Sequence, residues 1–316
     1  MAKIQTFIHG VYPRSNPLAQ VTREVDRNRK TQTDLKKQQL VDIAAVLKVQ
    51  KEANVAFVED GKLQWQDIFR PLVEATKGFE VGPLTRWFDN NTFYRQPIIV
   101  GKLRLDAKKL DTFLGDLPKG KGKVTLPSPF FFAKVTEDRT TKSFEKTLSA
   151  ITALYTDVVS YLVKKKIAVI QFNEPYIPYH NIKKAEIALL AKSLATLKKV
   201  KGDTLFAVQG YFGDTAPLVA GLSGNKAVDL LGVDFVYTQL ASLPKKFSHG
   251  LIAGIVEGRN SLLEDKKALV AFVEKVAKYF PKTDIYLSNN SDLDLLPETV
   301  AKEKVQLLGE IAKHFK

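Results

Sequence analysis

Short apolar segments recur along this chain, and most are followed by polar residues and then by a stretch with helical periodicity. The clearest is Ile167-Ala-Val-Ile-Gln171, whose β-branched run without an amphipathic period predicts a strand buried on both faces. Asn173 and Glu174 follow it, and Pro175 prevents the strand from continuing. Short buried strands that alternate with helices predict a parallel α/β sheet.

Eight strands of this kind are predicted, at residues 4–10, 54–58, 123–126, 167–171, 204–208, 233–237, 251–256 and 284–287. Eight strand–helix units within 316 residues predict a single (β/α)8 TIM barrel over residues 1–316. An open doubly wound sheet is the alternative, but no glycine-rich dinucleotide or phosphate loop follows the first strand. The longest predicted helix is a polar one at 20–51.

Residues 79–105 depart from this repeat. An aromatic loop, Trp87-Phe-Asp-Asn-Asn-Thr-Phe-Tyr94, precedes a β segment at 98–105, and we interpret the whole as an excursion from the barrel. The loop could stack on a planar ligand or plug the barrel, and the sequence leaves both alternatives open.

The net charge of +14 is the strongest compositional signal. It could reflect an anionic partner such as nucleic acid, a phosphorylated ligand or a polycarboxylate. The lysines are scattered, however, and no RNA-binding fingerprint accompanies them. A solvated lysine-rich surface is therefore the favoured interpretation, and a nucleic-acid partner is not expected.

Several classes are excluded by what the sequence lacks. The chain has no cysteine, which excludes disulfides, thiolate nucleophiles and zinc sites with sulfur ligands. No apolar run is long enough to span a bilayer, so no membrane association is expected. The amino-terminal Met-Ala-Lys-Ile-Gln lacks the apolar core of a signal peptide, which predicts a cytoplasmic protein.

Ligands of parallel α/β proteins bind at the carboxyl ends of the strands, so the segments after the strands supply the candidates. Glu174 and Glu257 are the candidate catalytic acid and base. For Glu174 a structural interpretation stays open, in which it caps a loop or pairs with a lysine, and the lone His9 is more typical of a structural residue than of a ligand. The candidate ligand-binding residues are Arg14, Asp89, Asn173, Tyr211, Asp214, Gln239, Arg259 and Asn260.

Six motifs follow one another along the chain: Gly10-Val-Tyr-Pro-Arg14, Trp87-Phe-Asp-Asn-Asn-Thr-Phe-Tyr94, Leu126-Pro-Ser-Pro-Phe-Phe-Phe132, Gln171-Phe-Asn-Glu-Pro175, Tyr211-Phe-Gly-Asp214 and Gly254-Ile-Val-Glu-Gly-Arg-Asn260. Taken in this order, they resemble cobalamin-independent methionine synthase over nearly the whole chain. The resemblance implies a family built as two fused (β/α)8 barrels, whose zinc-bearing C-terminal barrel transfers methyl from polyglutamyl methyltetrahydrofolate to homocysteine. The Trp-Phe-Asp, Tyr-Phe-Gly and Gly-Arg-Asn forms are more similar to the N-terminal barrel, which lacks zinc and helps hold the folate tail.

The resemblance also implies where the zinc ligands of the catalytic barrel would fall. Those positions read Val208, Gly210, Gln239 and Ser291, none of which binds zinc in the family's way. The Gly-Ser that contacts homocysteine reads Gly10-Val11, and the Asp of the Asp-Glu-Pro motif reads Asn173. Neither zinc nor another cofactor is therefore expected.

Two functions follow from the resemblance as expectations. In the first, the chain is a methionine-synthase-like methyltransferase homologue that binds a small anionic ligand, either a polyglutamyl folate or an amino acid, or that serves a separate catalytic barrel as partner. In the second, it is a metal-free enzyme of the same barrel group, a decarboxylase or transferase, in which Arg14 and Arg259 hold carboxylates and Glu174 or Glu257 transfers protons.

Overall fold

A computed structural model describes residues 3–90, 92–245 and 247–316. The strands within these ranges are β1 (Ile4–Thr6), β2 (Thr76–Thr85), β3 (Tyr94–Leu105), β4 (Lys123–Pro127), β5 (Glu137–Asp138), β6 (Val169–Asn173), β7 (Leu205–Gln209), β8 (Leu230–Asp234), β9 (Gly250–Val256) and β10 (Ile285–Asn289). The α-helices are α1 (Asn16–Asp26), α2 (Gln32–Glu52), α3 (Arg70–Glu74), α4 (Ala107–Asp111), α5 (Pro129–Val135), α6 (Phe144–Lys164), α7 (Tyr176–Tyr179), α8 (Lys184–Leu197), α9 (Ala216–Leu222), α10 (Lys266–Tyr279) and α11 (Glu298–His314). Short 3₁₀ helices lie at Lys198–Val200 and Leu240–Ser242.

Seven of the strands form one curled parallel sheet in the order β1-β10-β9-β8-β7-β6-β4. The predicted parallel α/β sheet is thereby confirmed. The remaining predicted strand, at 54–58, is not part of this sheet. It makes two isolated parallel bridges instead, from Val55 to Thr6 and from Val58 to Gly122. These bridges touch β1 and the residue before β4, so one short segment meets both edges of the sheet.

The excursion from the repeat forms a second sheet, in the order β2-β3-β5. β2 and β3 pair antiparallel, with register shifts on β2 between Lys77 and Phe79 and between Val81 and Leu84. The predicted β segment at 98–105 lies within β3, whereas β2 was not predicted. Most of β2 is exposed or half-buried, so its sequence lacks the regular apolar alternation that marks a strand.

The predicted single helix at 20–51 is wrong, because the structure divides this region into α1 and α2. Ser15 caps the start of α1, and the backbone of Asn28 takes a left-handed φ of 57° just after its end. Thr31 and Asp34 then form a capping box that starts α2. The helical periodicity of the sequence continues across this turn and hides it.

The two faces of the parallel sheet have different partners. One face packs under the helices, where Phe172 of β6 meets Tyr155 of α6 with ring centroids 6.1 Å apart. The other face begins with a separate apolar cluster, formed by Phe7, Val169, Ala207, Leu230, Ile252 and Tyr286. Two residues further along the chain from each of these, where side chains return to the same face, lie His9, Gln171, Gln209, Gly232, Gly254 and Ser288. The inner face of the sheet thus changes from apolar to polar toward the carboxyl ends of its strands.

The strand predicted at 233–237 lies three residues earlier, as β8. Asp234 ends it, because its carboxylate accepts the Val236 N–H at 3.1 Å and turns the chain away from the sheet. Val236 and Tyr237 are consequently exposed rather than buried in a strand. Within the described ranges, no helix combines the length and apolarity that crossing a membrane requires.

Candidate functional site

A cavity of about 330 Å³ opens at the carboxyl ends of β1 and β10. Three chain segments surround it: the residues after β1, the residues after the bridging segment at 55–58, and the residues after β10. The aromatic loop adds a fourth wall. The lining residues are Val11, Tyr12, Pro13, Arg14, Lys62, Trp65, Gln66, Asp67, Ile68, Thr92, Phe93, Tyr94, Asp292, Asp294 and Leu296.

Five charged side chains line this cavity, namely Arg14, Lys62, Asp67, Asp292 and Asp294. Burial, together with the neighbouring Asp292 carboxylate, raises the pKa of Asp294 to about 7. Burial also raises the pKa of Asp292, while the Lys62 ammonium acts in the opposite direction. Lys62 is only 3% exposed, and its Nζ finds no hydrogen-bond partner among the described residues. Because the buried Lys62 ammonium is unpaired and shares the cavity with the Asp292 and Asp294 carboxylates, this cavity is a candidate binding site for a charged ligand.

Asp292 is held in place by the turn after β1. Its Oδ1 accepts the Val11 N–H at 2.7 Å. Gly10, with a φ of 82°, leaves room for that carboxylate, since a Cβ at this position would lie 1.8 Å from Asp292 Oδ1. The Gly10-Val11 pair therefore positions a cavity carboxylate through its backbone.

An aromatic wall faces these charges. The Trp65 indole N–H donates to the Phe113 carbonyl at 2.7 Å. The backbone carbonyl of Trp65 accepts a hydrogen bond from the Arg14 guanidinium. Tyr94 is buried against Phe69, with ring centroids 5.5 Å apart in an edge-on arrangement. Lys62 Nζ lies 5.8 Å from the centre of the Trp65 ring. The cavity therefore combines an apolar side with a charged side.

Beneath the cavity, buried polar side chains form a continuous chain across the sheet. Glu59 Oε2 and Lys123 Nζ are 2.9 Å apart, and Lys123 Nζ donates to Gln171 Oε1 at 3.2 Å. Gln171 Nε2 lies 2.6 Å from His9 Nδ1, and His9 Nε2 lies 4.0 Å from Asp292 Oδ1. Burial lowers the pKa of Lys123 to about 8, against the opposing effect of Glu59.

Three of the ligand-binding residues predicted from sequence lie in this region. Arg14 lines the cavity. Asn173 and Tyr211 are buried beside the polar chain, where Asn173 Nδ2 donates to the Tyr211 hydroxyl at 3.4 Å. The Tyr211 ring meets His9 edge-on, with centroids 4.8 Å apart.

The two candidate catalytic glutamates are placed differently. Glu174 is fully buried, where it accepts the Ser128 hydroxyl and, at 3.1 Å, the Ile177 N–H of α7. Burial raises its pKa to about 7. Glu257 is half-buried, and its backbone N–H donates to the Glu264 carboxylate at 2.8 Å. Neither glutamate lines the cavity. The contacts of Glu174 are those of a carboxylate that fixes the starts of α5 and α7.

The other predicted residues stand at turns outside the cavity lining. Arg259 donates to the Asp89 carbonyl at 3.2 Å and lies over the Phe212 ring at 5.2 Å. Asp214 accepts the Ala216 N–H at the start of α9. Asn260 Oδ1 accepts the Leu262 N–H at 3.0 Å, and the Gln239 carbonyl accepts the Ser242 N–H.

Lys62, Asp292 and Asp294 were not selected from the sequence. Lys62 comes one residue after Gly61, which has a left-handed φ of 71°, and the sequence does not show that this turn directs the lysine inward. Asp292 and Asp294 follow Ser288-Asn-Asn-Ser291 with one residue between them. The sequence signal for these two carboxylates was their position shortly after the strand predicted at 284–287.

The positions implied for zinc ligands do not fit the metal. Val208 packs in the core, Gln239 is exposed, and Ser291 Oγ is bonded to Asn290 Oδ1 at 3.1 Å. Gly210 offers no side chain. A tetrahedral zinc site takes thiolate, imidazole or carboxylate ligands, and none occurs at these four positions. Among the side chains that the structure describes, no group of three or more His, Asp or Glu is placed to hold a metal ion.

A curled parallel α/β sheet with a charged cavity at the carboxyl ends of its strands defines a barrel-like α/β protein with a candidate ligand cavity. The family can be named from the sequence itself. The model of the family described as "Cobalamin-independent synthase, N-terminal domain" matches residues 32–281. The chain belongs to this family, as its motifs predicted.

Relatives differ in how much of their length the chain spans. It is 22% identical over 313 residues to the methionine synthase of Sulfolobus acidocaldarius, covering 96% of this chain and 89% of the relative. It is 24% identical over 230 residues to the 5-methyltetrahydropteroyltriglutamate–homocysteine methyltransferase of Listeria welshimeri, which covers 70% of this chain but only 30% of that enzyme. At family level these relatives support a methyltransferase-like protein.

Solved structures show the same fold. A B12-independent methionine synthase from Shewanella sp. W3-18-1, in complex with selenomethionine, superposes with a TM-score of 0.77 at 16% identity, covering 99% of this chain and 98% of that one. A methyltransferase from Methanosarcina mazei superposes with a TM-score of 0.63 at 11% identity, covering 98% of this chain and 94% of that one.

Proposed function

We propose that this chain is a methionine-synthase-like protein that binds a small α-amino acid in the cavity between β1 and β10. One observation carries the proposal: the carboxylates of Asp292 and Asp294 and the cations of Arg14 and Lys62 are among the side chains that line one cavity. A third carboxylate in the lining, Asp67, already accepts backbone N–H groups, from Phe69, Arg70 and Arg95. An α-amino acid carries one ammonium and one carboxylate, so it can pair with both kinds of side chain at once.

Three groups of lining side chains match the three parts of such a ligand. Asp292 and Asp294 receive the ammonium, and Arg14 and Lys62 supply positive charge for the carboxylate. Trp65 and Tyr94 offer an apolar surface to the side chain. The volume of about 330 Å³ is at the lower end of the range for ligand pockets, which favours an amino acid over a whole polyglutamyl folate. The Shewanella relative in complex with selenomethionine supports the same choice.

The proposal includes closure of the barrel. The segment at 55–58 bridges both edges of the seven-stranded sheet, and we assign it as the eighth strand of a (β/α)8 barrel. The Ala56 N–H donates to the Thr6 carbonyl at 2.9 Å, and the Lys123 N–H donates to the Val58 carbonyl at 2.7 Å. These bonds satisfy edge groups that an open sheet leaves exposed, and they carry Lys62 to the cavity.

Methyl transfer assisted by zinc is not part of the proposal, because the four implied positions lack zinc ligands. The chain would act as a binding barrel, alone or as the partner of a separate catalytic barrel. The Listeria welshimeri methyltransferase, of which the chain spans 30%, supports the second arrangement.

A metal-free enzyme is the second candidate, and the raised pKa of Glu174, about 7, favours it. In this candidate Glu174 or Glu257 transfers the proton, and Arg14 or Arg259 holds a carboxylate. It requires substrate to reach Glu174, whose oxygens are bonded to Ser128 and Ile177.

Calorimetric titration tests the choice of ligand. L-methionine, L-homocysteine and methyltetrahydropteroyl-triglutamate would each be titrated into the wild type, Arg14→Gln and Arg259→Gln. We expect an amino acid to bind the wild type, and Arg14→Gln to weaken it about tenfold through loss of a charged hydrogen bond. Arg259→Gln, outside the cavity lining, should change affinity less than about threefold. Binding of the triglutamate alone would contradict the amino-acid proposal and favour a folate-binding barrel.

A further inference from the structure

The hydrogen bonds beneath the cavity have a direction that one residue fixes. Lys123 can only donate, so the atom of Gln171 that faces it must be the amide oxygen, Oε1, at 3.2 Å. The amide nitrogen of Gln171 therefore points the other way. It lies 2.6 Å from His9 Nδ1 and donates to Asn173 Oδ1 at 2.9 Å.

This direction sets the tautomer of His9. Because Gln171 donates to Nδ1, that nitrogen carries the lone pair and the ring proton resides on Nε2. The ring stays neutral, since burial and the nearby Lys62 and Lys123 ammonium groups hold the pKa of His9 well below its usual range. His9 thus presents a neutral N–H toward Asp292.

That N–H is left without a partner. His9 is fully buried, and its Nε2 accepts or donates no hydrogen bond among the described residues. Its 4.0 Å distance from Asp292 Oδ1 is too long for one. Lys62 Nζ is a second buried donor without a hydrogen-bond partner among the described residues. Its charge acts on both His9 and Asp292. Buried donors are rarely left unpaired, so both donors indicate an acceptor that the protein itself does not supply.

We propose that His9 Nε2–H and Lys62 Nζ together bind the carboxylate of the ligand beside Asp292, with Gln171 holding His9 in the required tautomer. Lys62 and Asp292 line the cavity, whereas His9 is fully buried outside the lining, with Nε2 4.0 Å from Asp292 Oδ1. The inference rests on the proposed function and deepens it, since it assigns the recognition of the carboxylate. Asp292, beside both donors, then meets the ammonium of the same ligand. His9 is a binding residue, and Gln171 is a positioning residue that acts through it.

The tautomer can be measured without any ligand. The chain has four histidines, so multiple-bond ¹H–¹⁵N spectra of the full-length ¹⁵N-histidine protein resolve His9, and His9→Gln assigns its signals. We expect the Nε2–H form in the wild type and a mixture of tautomers in Gln171→Leu. The control Gln209→Leu replaces a buried glutamine on the neighbouring strand that has no bond to His9, and it should leave the Nε2–H form unchanged. An Nδ1–H or doubly protonated ring in the wild type would overturn the inference.

Binding of two probes tests the role in recognition. L-methioninamide lacks the carboxylate of L-methionine but keeps its ammonium and side chain. Replacement of His9 by Met should weaken L-methionine at least about tenfold and L-methioninamide less than about threefold. His9→Gln, which keeps an N–H donor near the position of Nε2, should restore L-methionine to within about threefold.

The outcomes separate the two proposals. Equal losses for both probes in His9→Met would give His9 a structural role and overturn the inference. If the wild type binds neither probe, the proposed function fails and carboxylate recognition fails with it. If the wild type binds both and His9→Met binds L-methionine unchanged, the proposed function stands and the inference alone is wrong.

Discussion

The carboxylate of Asp292 occupies the space that a side chain on Gly10 would need, with Oδ1 only 1.8 Å from the ideal Cβ position. These residues are far apart in the sequence but adjacent in space, because β1 pairs with β10. The contact explains why the turn after β1 requires glycine on two grounds, its left-handed φ and its missing side chain.

Gly10→Ala should destabilise the protein and abolish ligand binding, because the methyl group displaces Asp292 from the cavity wall. The matched control is Gly120→Ala, whose φ of 72° imposes a similar backbone strain while no atom lies within 4 Å of the new methyl. Urea unfolding should show a loss of about 1 kcal/mol for Gly120→Ala and about 2–4 kcal/mol for Gly10→Ala. Equal losses would show that the contact with Asp292 carries no energetic weight.

Asp294 should make both stability and ligand affinity depend on pH. Its pKa is about 7 in the folded protein against 3.8 for an unperturbed Asp, so between these values the folded state keeps a proton that the unfolded state releases. The unfolded state binds fewer protons there, and the contribution of Asp294 to stability therefore falls as pH rises from about 4 to about 7. Asp294→Asn should remove that fall, whereas the exposed Asp203→Asn should not. Denaturant midpoints across this range would show whether the slopes differ.

Affinity for L-methionine should change with pH in the opposite sense. The ligand ammonium pairs with an ionised Asp294, so affinity should rise between pH 6 and pH 8 in the wild type and level off in Asp294→Asn. Calorimetry in buffers of different ionisation enthalpy would also count the protons released on binding. Affinity that falls over this range would place the ammonium elsewhere.

Glu174→Gln distinguishes a structural carboxylate from a catalytic one. If Glu174 only fixes α5 and α7 through Ser128 and Ile177, the glutamine should leave ligand affinity within about twofold. Glu174→Ala, which leaves the Ile177 N–H and the Ser128 hydroxyl without this acceptor, should lower the free energy of unfolding by about 1–3 kcal/mol. If the wild type turns over a substrate and Glu174→Gln does not, while the fold and ligand affinity of the variant are unchanged, the result would instead support the metal-free enzyme.

Lys123→Met should be strongly destabilising, because it leaves the buried Glu59 without its cation 2.9 Å away. Breaking one side of a buried ion pair costs about 3–5 kcal/mol. The double variant Lys123→Met with Glu59→Gln should recover much of that loss, since no unpaired charge remains. Chemical unfolding of the two variants checks this, and a double variant as unstable as the single one would contradict the account.

The predicted strands succeeded where short-range sequence patterns suffice. The apolar segments around Val169, Phe206 and Ile285 are strands because each is short, buried and followed by polar residues. β8 was misplaced because Phe235-Val-Tyr237 is as apolar as the true strand, and only the turn at Asp234 ends it. The break between α1 and α2 depends on the left-handed backbone conformation of one residue, Asn28. The periodicity of apolar residues in the sequence does not reveal that conformation.

The sequence by itself determined the parallel α/β class, the polar character of the strand ends and, through the order of its motifs, the family. Tertiary structure decided which polar residues share a cavity. Lys62 and Asp292 line the same cavity only because β1 lies beside β10 and the segment at 55–58 bridges β1, which brings distant parts of the chain together. No local pattern encodes such a placement, since it depends on the order of the strands in the sheet and on turns at Gly10 and Gly61 that aim single side chains inward.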